Sequence, residues 1–465
     1  MKVLLIYPNR IESPKDISQG LAQISAVLKR DKHEVQLLDS TFGLTDEEIV
    51  SKVKEFDPDF VAMTVASNDY HYSKHIAETI KKIGDVPIIA GGFHPTIAPH
   101  DLIKEKCFDI VCIGEGEEAI SELLYYFERG NMNYNIKNLW FKRGEETITN
   151  PLRKLNENLD SLPYPDREIF NYQRYIDWNR GIATFISTRG CPMQCTYCIN
   201  KTLIDKYAGL GRYVRSKSID YLFDEIKQVL TKYKAKEIEF YDDTFTLDTK
   251  RVHEFCRRYP AEIGVPFYLN VRVNTVTKEM LAMLKRAGCT RVNIGVESGD
   301  EHIRNDVLKR NMTEQQIIDT FKWAKEAGLE TYAFNMIGIP FETKESIEKT
   351  IELNRRLQPD RVGASIFNAF KGTELYRICK ENGWLAEEIT TDSYFQSSNV
   401  KHPNFKPSEL KFIRDTFGAK VYGKNRKLRA LLDLIDKTLS RYAFFAWIRS
   451  YLFKKDITRK VVNSL

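Results

Sequence analysis

The chain is poor in cysteine, with eight in 465 residues. That excludes a disulfide scaffold, which needs a far denser framework in a much shorter chain. Five of the eight are scattered: Cys107, Cys112, Cys256, Cys289 and Cys379. They are expected to be small buried apolar side chains. Long apolar runs are also missing. None reaches the roughly 18–20 residues a membrane-spanning helix needs. The opening MKVLLIYPNR has no basic leader followed by a long apolar core, so no signal peptide is expected and the default location is cytoplasmic. There is no short-period repeat and no low-complexity tract. Strong charge is absent too: the net charge is +6, and most of the excess is local. From Gly418 onward twelve Lys and Arg face three Asp, which leaves the remainder slightly acidic. A general nucleic-acid-binding surface is therefore not expected.

What is present is an α/β pattern. VLLIY (3–7), VQLL (35–38), FVAMTV (60–65), PIIA (87–90) and DIVCI (109–113) are short apolar runs. Helical stretches near 18–30, 46–55, 71–83 and 117–129 separate them. Near-continuous apolar strands joined by crossovers predict a doubly wound parallel sheet, whose ligand site lies beyond the carboxyl ends of its strands. NLWFKRGEETITN (138–150) reads as a hairpin turning at Arg143-Gly144-Glu145, and LDSLPYPDREIF (159–170) as an extended linker. A second βα series begins at IATFIST (182–188) and continues through EIEFYDD, FYLNVRV, RVNIGVE, TYAFNMIG and VGASIFN. Six units are too few for an eight-fold barrel, so a partial (β/α)6 barrel of the TIM type is expected. The domains expected are 1–135 (doubly wound), 136–180 (hairpin and linker), 181–385 (partial barrel) and 386–465 (a helical extension).

The remaining three cysteines lie in STRGCPMQCTYC, just after the first strand of the second series. Cys191, Cys195 and Cys198 are spaced C-x3-C-x2-C. Three thiolates can hold three irons of a cubane that normally takes four ligands, leaving one iron open. The alternative is a structural zinc site with a distant fourth ligand. The motif resembles that of the radical S-adenosylmethionine enzymes, with Tyr197 at the aromatic position before the last cysteine. The resemblance implies a 4Fe–4S cluster whose open iron chelates the amine and carboxylate of S-adenosylmethionine. One electron then breaks the carbon–sulfur bond and gives a 5′-deoxyadenosyl radical. FYDDTF (240–245) is similar to the segment that meets the cofactor's amino group, with Asp242 and Asp243 as candidates. Arg272 in NVRVN would pair with its carboxylate. Glu297 in VNIGVESG stands where a ribose-hydroxyl acceptor is usual. FNMIGIPFET (334–343) resembles the segment whose backbone lies along the adenine, which makes Met336, Gly338 and Pro340 candidates. Two departures stand out. Phe341 replaces a common glycine, and NAFKGTELY (368–376) lacks both prolines of the usual Pro-aromatic-Pro-Gly-Thr segment.

YPNR (7–10), residues 19–40, GGFHPT (91–96) and IGEGEEAISELL (113–124) resemble the cobalamin-binding domain fused to many such enzymes. The implied cobalamin contacts are Gly91, Gly92, His94, Thr96, Gly114, Glu115 and Gly116. Glycine at these turns lets backbone approach a bulky planar ligand. No Asp-x-His-x-x-Gly motif follows the first strand, so no histidine is expected on cobalt, and His94 is expected to be structural. The alternative is a domain that keeps the fold without the cofactor.

SRYAFFAWIRSYLFKK (440–455) is aromatic and basic. It reads either as a helix on an anionic membrane surface, which would suit a lipid-like substrate, or as a helix packed on the barrel. Taken together, the resemblance is to class B radical S-adenosylmethionine methyltransferases. It implies methyl transfer to an unactivated carbon of a small-molecule or lipid-like substrate, with cyclisation, rearrangement or oxygenation as the alternative. A non-catalytic iron–sulfur binding protein is the remote third reading. An electron donor such as flavodoxin or ferredoxin is implied.

Overall fold

The computed structural model describes residues 1–9, 16–386 and 398–423. The basic aromatic segment 440–455 lies outside the described residues. The chain divides into two compact units. The first holds residues 1–192, 198–235 and 370–377; the second holds 193–197, 236–369 and the described residues from 378 onward.

The first unit is built on a seven-stranded sheet. Its strands are β1 (Lys2–Tyr7), β2 (Glu34–Asp39), β3 (Phe60–Thr64), β4 (Ile88–Gly91), β5 (Ile110–Cys112), β6 (Leu139–Arg143) and β7 (Glu146–Ile148). The order is β2-β1-β3-β4-β5-β6-β7. The first five run parallel. Helices cover both faces, and the interior strand β1 therefore reads as an unbroken apolar run: Val3, Leu4, Leu5 and Ile6 are all in the core. The predicted hairpin is present, but it is no free linker. It pairs antiparallel with β5 and extends the sheet, with Gly144 in the left-handed conformation at its turn. The sheet is therefore mixed at this edge. Crossover helices start where capping chemistry dictates. Thr45 and Glu48 form a reciprocal capping box at the helix Asp46–Phe56.

The second sheet is a curled six-stranded half-barrel, in agreement with the partial barrel expected. Its members are β8 (Ile182–Phe185), β11 (Glu237–Phe240), β12 (Phe267–Val271), β13 (Cys289–Glu297), β14 (Glu330–Ile337) and β15 (Arg361–Ile366), in the order β15-β14-β13-β12-β11-β8. The short pair β9 (Thr188–Arg189) and β10 (Arg215–Ser216) stands apart and is antiparallel. Alternation along β13 sends Val292, Ile294 and Val296 into the helix-covered core, so Arg291, Asn293, Gly295 and Glu297 share the opposite, inner face.

All five scattered cysteines are buried, as expected. Burial raises their thiols, to about 11 for Cys107 and Cys379 and about 12 for Cys112 and Cys256. They are protonated at neutral pH and are poor metal ligands. Among the described residues no helix is long and apolar enough to cross a membrane.

Candidate functional site: thiolate loop, cofactor wall and cavity

The three clustered cysteines follow β9 in a loop that runs into the helix Ile199–Lys206. Cys198 is that helix's N-cap, where the positive end of the helix dipole favours a thiolate. Gly190 opens the loop at φ +85, and a Cβ there would meet the Tyr213 carbonyl at 2.7 Å. Only glycine fits that approach. None of the three is in a disulfide among the described residues; Cys191 and Cys195 are buried and Cys198 is half-buried. Polar donors reach the sulfurs of Cys195 and Cys198, and the Cys191 backbone is held by an acceptor. Within the first unit, Asn200 accepts the Cys191 N–H at 3.2 Å and donates to Cys198 Sγ at 3.4 Å. Within the second unit, Arg272 donates to Cys195 Sγ at 3.4 Å. Donors aimed at sulfur are what a thiolate-bound cluster requires. Thr196 anchors the middle of the loop by donating to the Val307 carbonyl at 2.6 Å.

The second unit builds a charged wall around Cys195. Arg272 also donates through Nε to Asn274 at 2.9 Å and through Nη2 to the Arg310 carbonyl. Arg310 is buried; its Nη1 donates to Tyr197 Oη at 2.7 Å and its Nη2 to the Gly295 carbonyl at 2.5 Å. Glu297, at the end of β13, lies 3.7 Å from Arg310. It holds φ +64 at a register shift in the strand, and strain of this kind gathers at functional sites. Burial raises its carboxyl above the usual range, while Arg310, Arg272 and Tyr197 oppose that. Two guanidinium groups thus face one carboxylate, and Arg310 Nε is buried with no acceptor among the described residues. The excess positive charge and the orphaned donor suit a carboxylate ligand, such as the amino-acid end of S-adenosylmethionine.

Asp242 is buried beyond β11, and Asp243 is exposed. Met336, Gly338 and Pro340 are buried at the end of β14. Sequence reasoning missed what fixes this turn. Glu342 Oε2 accepts the backbone N–H of Gly338 at 2.6 Å and of Ile339 at 3.3 Å. Its carboxyl is pushed up to about 8 by burial, although both N–H groups oppose the shift. His402 Nε2 donates to the Ile339 carbonyl at 2.8 Å, because the Asn404 N–H occupies Nδ1 at 3.1 Å and fixes the tautomer. Asn404 also donates to the Glu342 carbonyl at 2.9 Å.

Both departures from the family pattern have a structural counterpart. Phe341 sits at φ +68, the conformation for which glycine is common, and its ring packs edge-on against Trp384 at 5.2 Å. Ala369 carries an N–H that proline would lack, and Asn399 Oδ1 accepts it at 2.8 Å. In return Asn399 Nδ2 donates to the Ala369 carbonyl at 2.8 Å. Lys371, at the second lost proline, pairs with Asp101 within the first unit.

In the first unit a cavity of about 300 Å³ opens beyond the carboxyl ends of β3, β4 and β5. Gly91, Gly92, Gly114, Glu115 and Gly116, five of the seven candidate cobalamin contacts, line it together with Gln19, Ile24, Thr64 and Lys217. At Gly114 (φ +78) a Cβ would lie 1.9 Å from Tyr207 Oη, so the turn and the tyrosine need each other. His94 and Thr96 are not on the cavity wall. His94 is buried, bonded to Ser67 Oγ at 2.9 Å and packed at a tilt against the Tyr70 ring, and burial lowers its ring to about 4. Thr96 ties the two glycine turns together, donating to the Gly92 carbonyl at 2.7 Å and accepting the Gly114 N–H at 2.9 Å. The Glu115 carboxylate is occupied by Arg215 at 2.6 Å and Arg189 at 3.0 Å. The described lining residues include no histidine. A glycine-rimmed space at the carboxyl edge of a doubly wound sheet fits a corrin bound without a protein imidazole.

The comparisons with known proteins agree with this geometry. The Radical SAM superfamily model matches residues 185–353 and the B12 binding domain model residues 17–124. The chain belongs to the radical S-adenosylmethionine superfamily, among the members that also carry a B12-binding domain. It is an enzyme whose cofactors are a 4Fe–4S cluster, S-adenosylmethionine and cobalamin. Among its relatives is an uncharacterized methyltransferase, PH0819, of Pyrococcus horikoshii, 30% identical over 395 residues and covering 83% of this chain and 84% of the relative. Another is the anaerobic magnesium-protoporphyrin IX monomethyl ester cyclase of Cereibacter sphaeroides, 25% identical over 432 residues, covering 88% of this chain and 68% of the relative. The fold matches the radical S-adenosylmethionine methyltransferase TsrM from Kitasatospora setae, solved with cobalamin and a [4Fe-4S] cluster. The TM-score is 0.68 at 18% identity, over 88% of this chain and 84% of that one.

Proposed function

We propose that the enzyme transfers a methyl group to an unactivated carbon of a small-molecule substrate. When bound, the cluster and S-adenosylmethionine supply hydrogen abstraction from the substrate, and cobalamin supplies the methyl group. The carrying observation is the relative named as a methyltransferase, which aligns over most of both chains.

On this reading Cys191, Cys195 and Cys198 hold the cluster. Arg272 and Arg310 take the carboxylate of S-adenosylmethionine, and Asp242 or Asp243 its ammonium. Glu297, kept in place by Arg310 and Tyr197, accepts from the ribose. The segment 336–340, with its backbone pinned by Glu342, lies along the adenine.

The inner face of the half-barrel supports a polar or aromatic substrate over a lipid chain. Tyr268 donates to Glu239 at 2.6 Å, Arg291 lies 3.7 Å over the Tyr268 ring, and Asn293 donates to Asn270 at 3.0 Å. Phe334, in the middle of β14, is 37% exposed on this face beside Tyr332. An electron donor of the flavodoxin or ferredoxin type is required.

A second reading, radical cyclisation, rearrangement or oxygenation, is favoured by the relative named as a cyclase. Product analysis of anaerobically reconstituted enzyme separates the two. Methylation yields S-adenosylhomocysteine together with 5′-deoxyadenosine and a product heavier by one CH2. Turnover that forms 5′-deoxyadenosine without S-adenosylhomocysteine would overturn it.

A further inference from the structure

One side chain beside the cysteines is not a ligand, yet it holds two of them. Asn200 lies two residues past Cys198 and is buried. Its Oδ1 accepts from the Cys191 backbone at 3.2 Å and from Tyr213 Oη at 2.6 Å. Two donors on one oxygen fix the amide's orientation, so Nδ2 must face Cys198 Sγ, 3.4 Å away. Tyr213 is itself fixed. Its ring and carbonyl cover Gly190 so closely that a Cβ there would lie 2.9 Å from the ring, and it stacks on Tyr207 at 6.4 Å. Tyr207 Oη in turn accepts the Glu115 N–H at 3.3 Å on the rim of the cavity. The whole chain of contacts lies within the first unit.

We infer that Asn200, oriented by Tyr213, is a positioning residue for the cluster ligands and sets the cluster's reduction potential. An amide N–H aimed at a ligating sulfur stabilises the more electron-rich, reduced cluster and so raises its potential. The Cys191 contact fixes the loop backbone, so Cys191 and Cys198 are spaced by one amide. Neither the spacing of the cysteines nor the family motif names Asn200 or Tyr213, and the inference rests on the cluster assignment alone, not on methyl transfer.

The test is a redox titration of the anaerobically reconstituted full-length protein, followed by the electron paramagnetic resonance signal of the reduced cluster, with iron counted per chain. Asn200→Ala is expected to shift the midpoint to more negative potential. Asn200→Asp sets a carboxylate oxygen against the thiolate and should shift it further or lower iron occupancy. Tyr213→Phe keeps the ring and removes only the Oη donor, so it should shift the midpoint in the same direction by less, with iron content unchanged. Tyr213→Phe and Asn200→Ala proteins of full iron content and wild-type midpoint would overturn the inference. If Asn200→Ala fails to load iron, Tyr213→Phe alone decides.

Discussion

Glu342 is wholly buried and accepts two backbone N–H groups, yet burial holds its carboxyl near 8 rather than the ordinary 4.5. A carboxyl raised in the folded state takes up protons on folding. Its stabilising contribution is therefore complete below pH 4.5 and is lost as pH rises through about 8. Glu342→Gln keeps an oxygen for the Gly338 and Ile339 N–H groups but cannot titrate. Thermal melts across this window should show wild-type stability falling with pH and a flatter profile in the variant. An equal slope in both would sink the idea. Residue-scale legibility followed chemistry. Cys191, Cys195 and Cys198 stood out by their spacing and Arg272 and Glu297 by the family resemblance, and within the second unit Arg272 does reach Cys195 Sγ and Glu297 does lie beside Arg310. Arg310 could not, because an arginine in LKRNM looks like any solvated loop cation. Only the folded backbone carries it to Tyr197 and the Gly295 carbonyl. His94, in a motif that resembles a cobalamin contact but expected to be structural, packs its buried ring against Ser67 and Tyr70.

At the scale of elements, the apolar runs and their helical spacers marked nearly every strand, since a strand buried on both faces has little freedom in composition. The hairpin was legible as a hairpin. Its pairing with β5 was not, because register across an open sheet edge is decided by tertiary contacts rather than by local pattern. Nor could residues 398–404 be read, having no motif. Yet residues 398–404 form a strap across the ends of β14 and β15. Ser398 donates to the Phe367 carbonyl at 2.6 Å, Asn399 closes on Ala369, and His402 and Asn404 close on the turn at 338–342. Asn399→Ala should therefore cost about 1–3 kcal/mol, the penalty for a buried peptide group left without its partner. Ala369→Pro in that background removes the unsatisfied N–H and should restore part of the loss in urea unfolding. A double variant no more stable than Asn399→Ala would show that Asn399 does not stand in for the missing proline.

For the whole molecule, the prediction is that the two metal cofactors can be separated. Gly116 has φ −98, which any residue can adopt, and a side chain there would grow toward Cys112 and Ile24 on the cavity wall, each 3.4 Å from the added Cβ. Gly116→Leu should fold and assemble its cluster while binding hydroxocobalamin at least tenfold more weakly, as read by optical titration of the reconstituted protein. Unchanged cobalamin affinity would mean that the corrin lies elsewhere. Fold class and cofactor set were legible at this scale because both follow from element order and two compact motifs. Substrate identity was not, because the inner wall is assembled from scattered residues on four strands, β11 to β14.

The strap carries a consequence for biosynthesis. The turn at 338–342 is held by His402 and Asn404, which follow it by some sixty positions in the chain. A nascent chain can complete the first sheet and expose the cysteine loop long before those two residues leave the ribosome. Until then nothing from the strap secures the turn. A message cut short ahead of Ser398 would thus yield a protein whose 338–342 turn, the segment proposed to lie along the adenine, has lost both of these anchors.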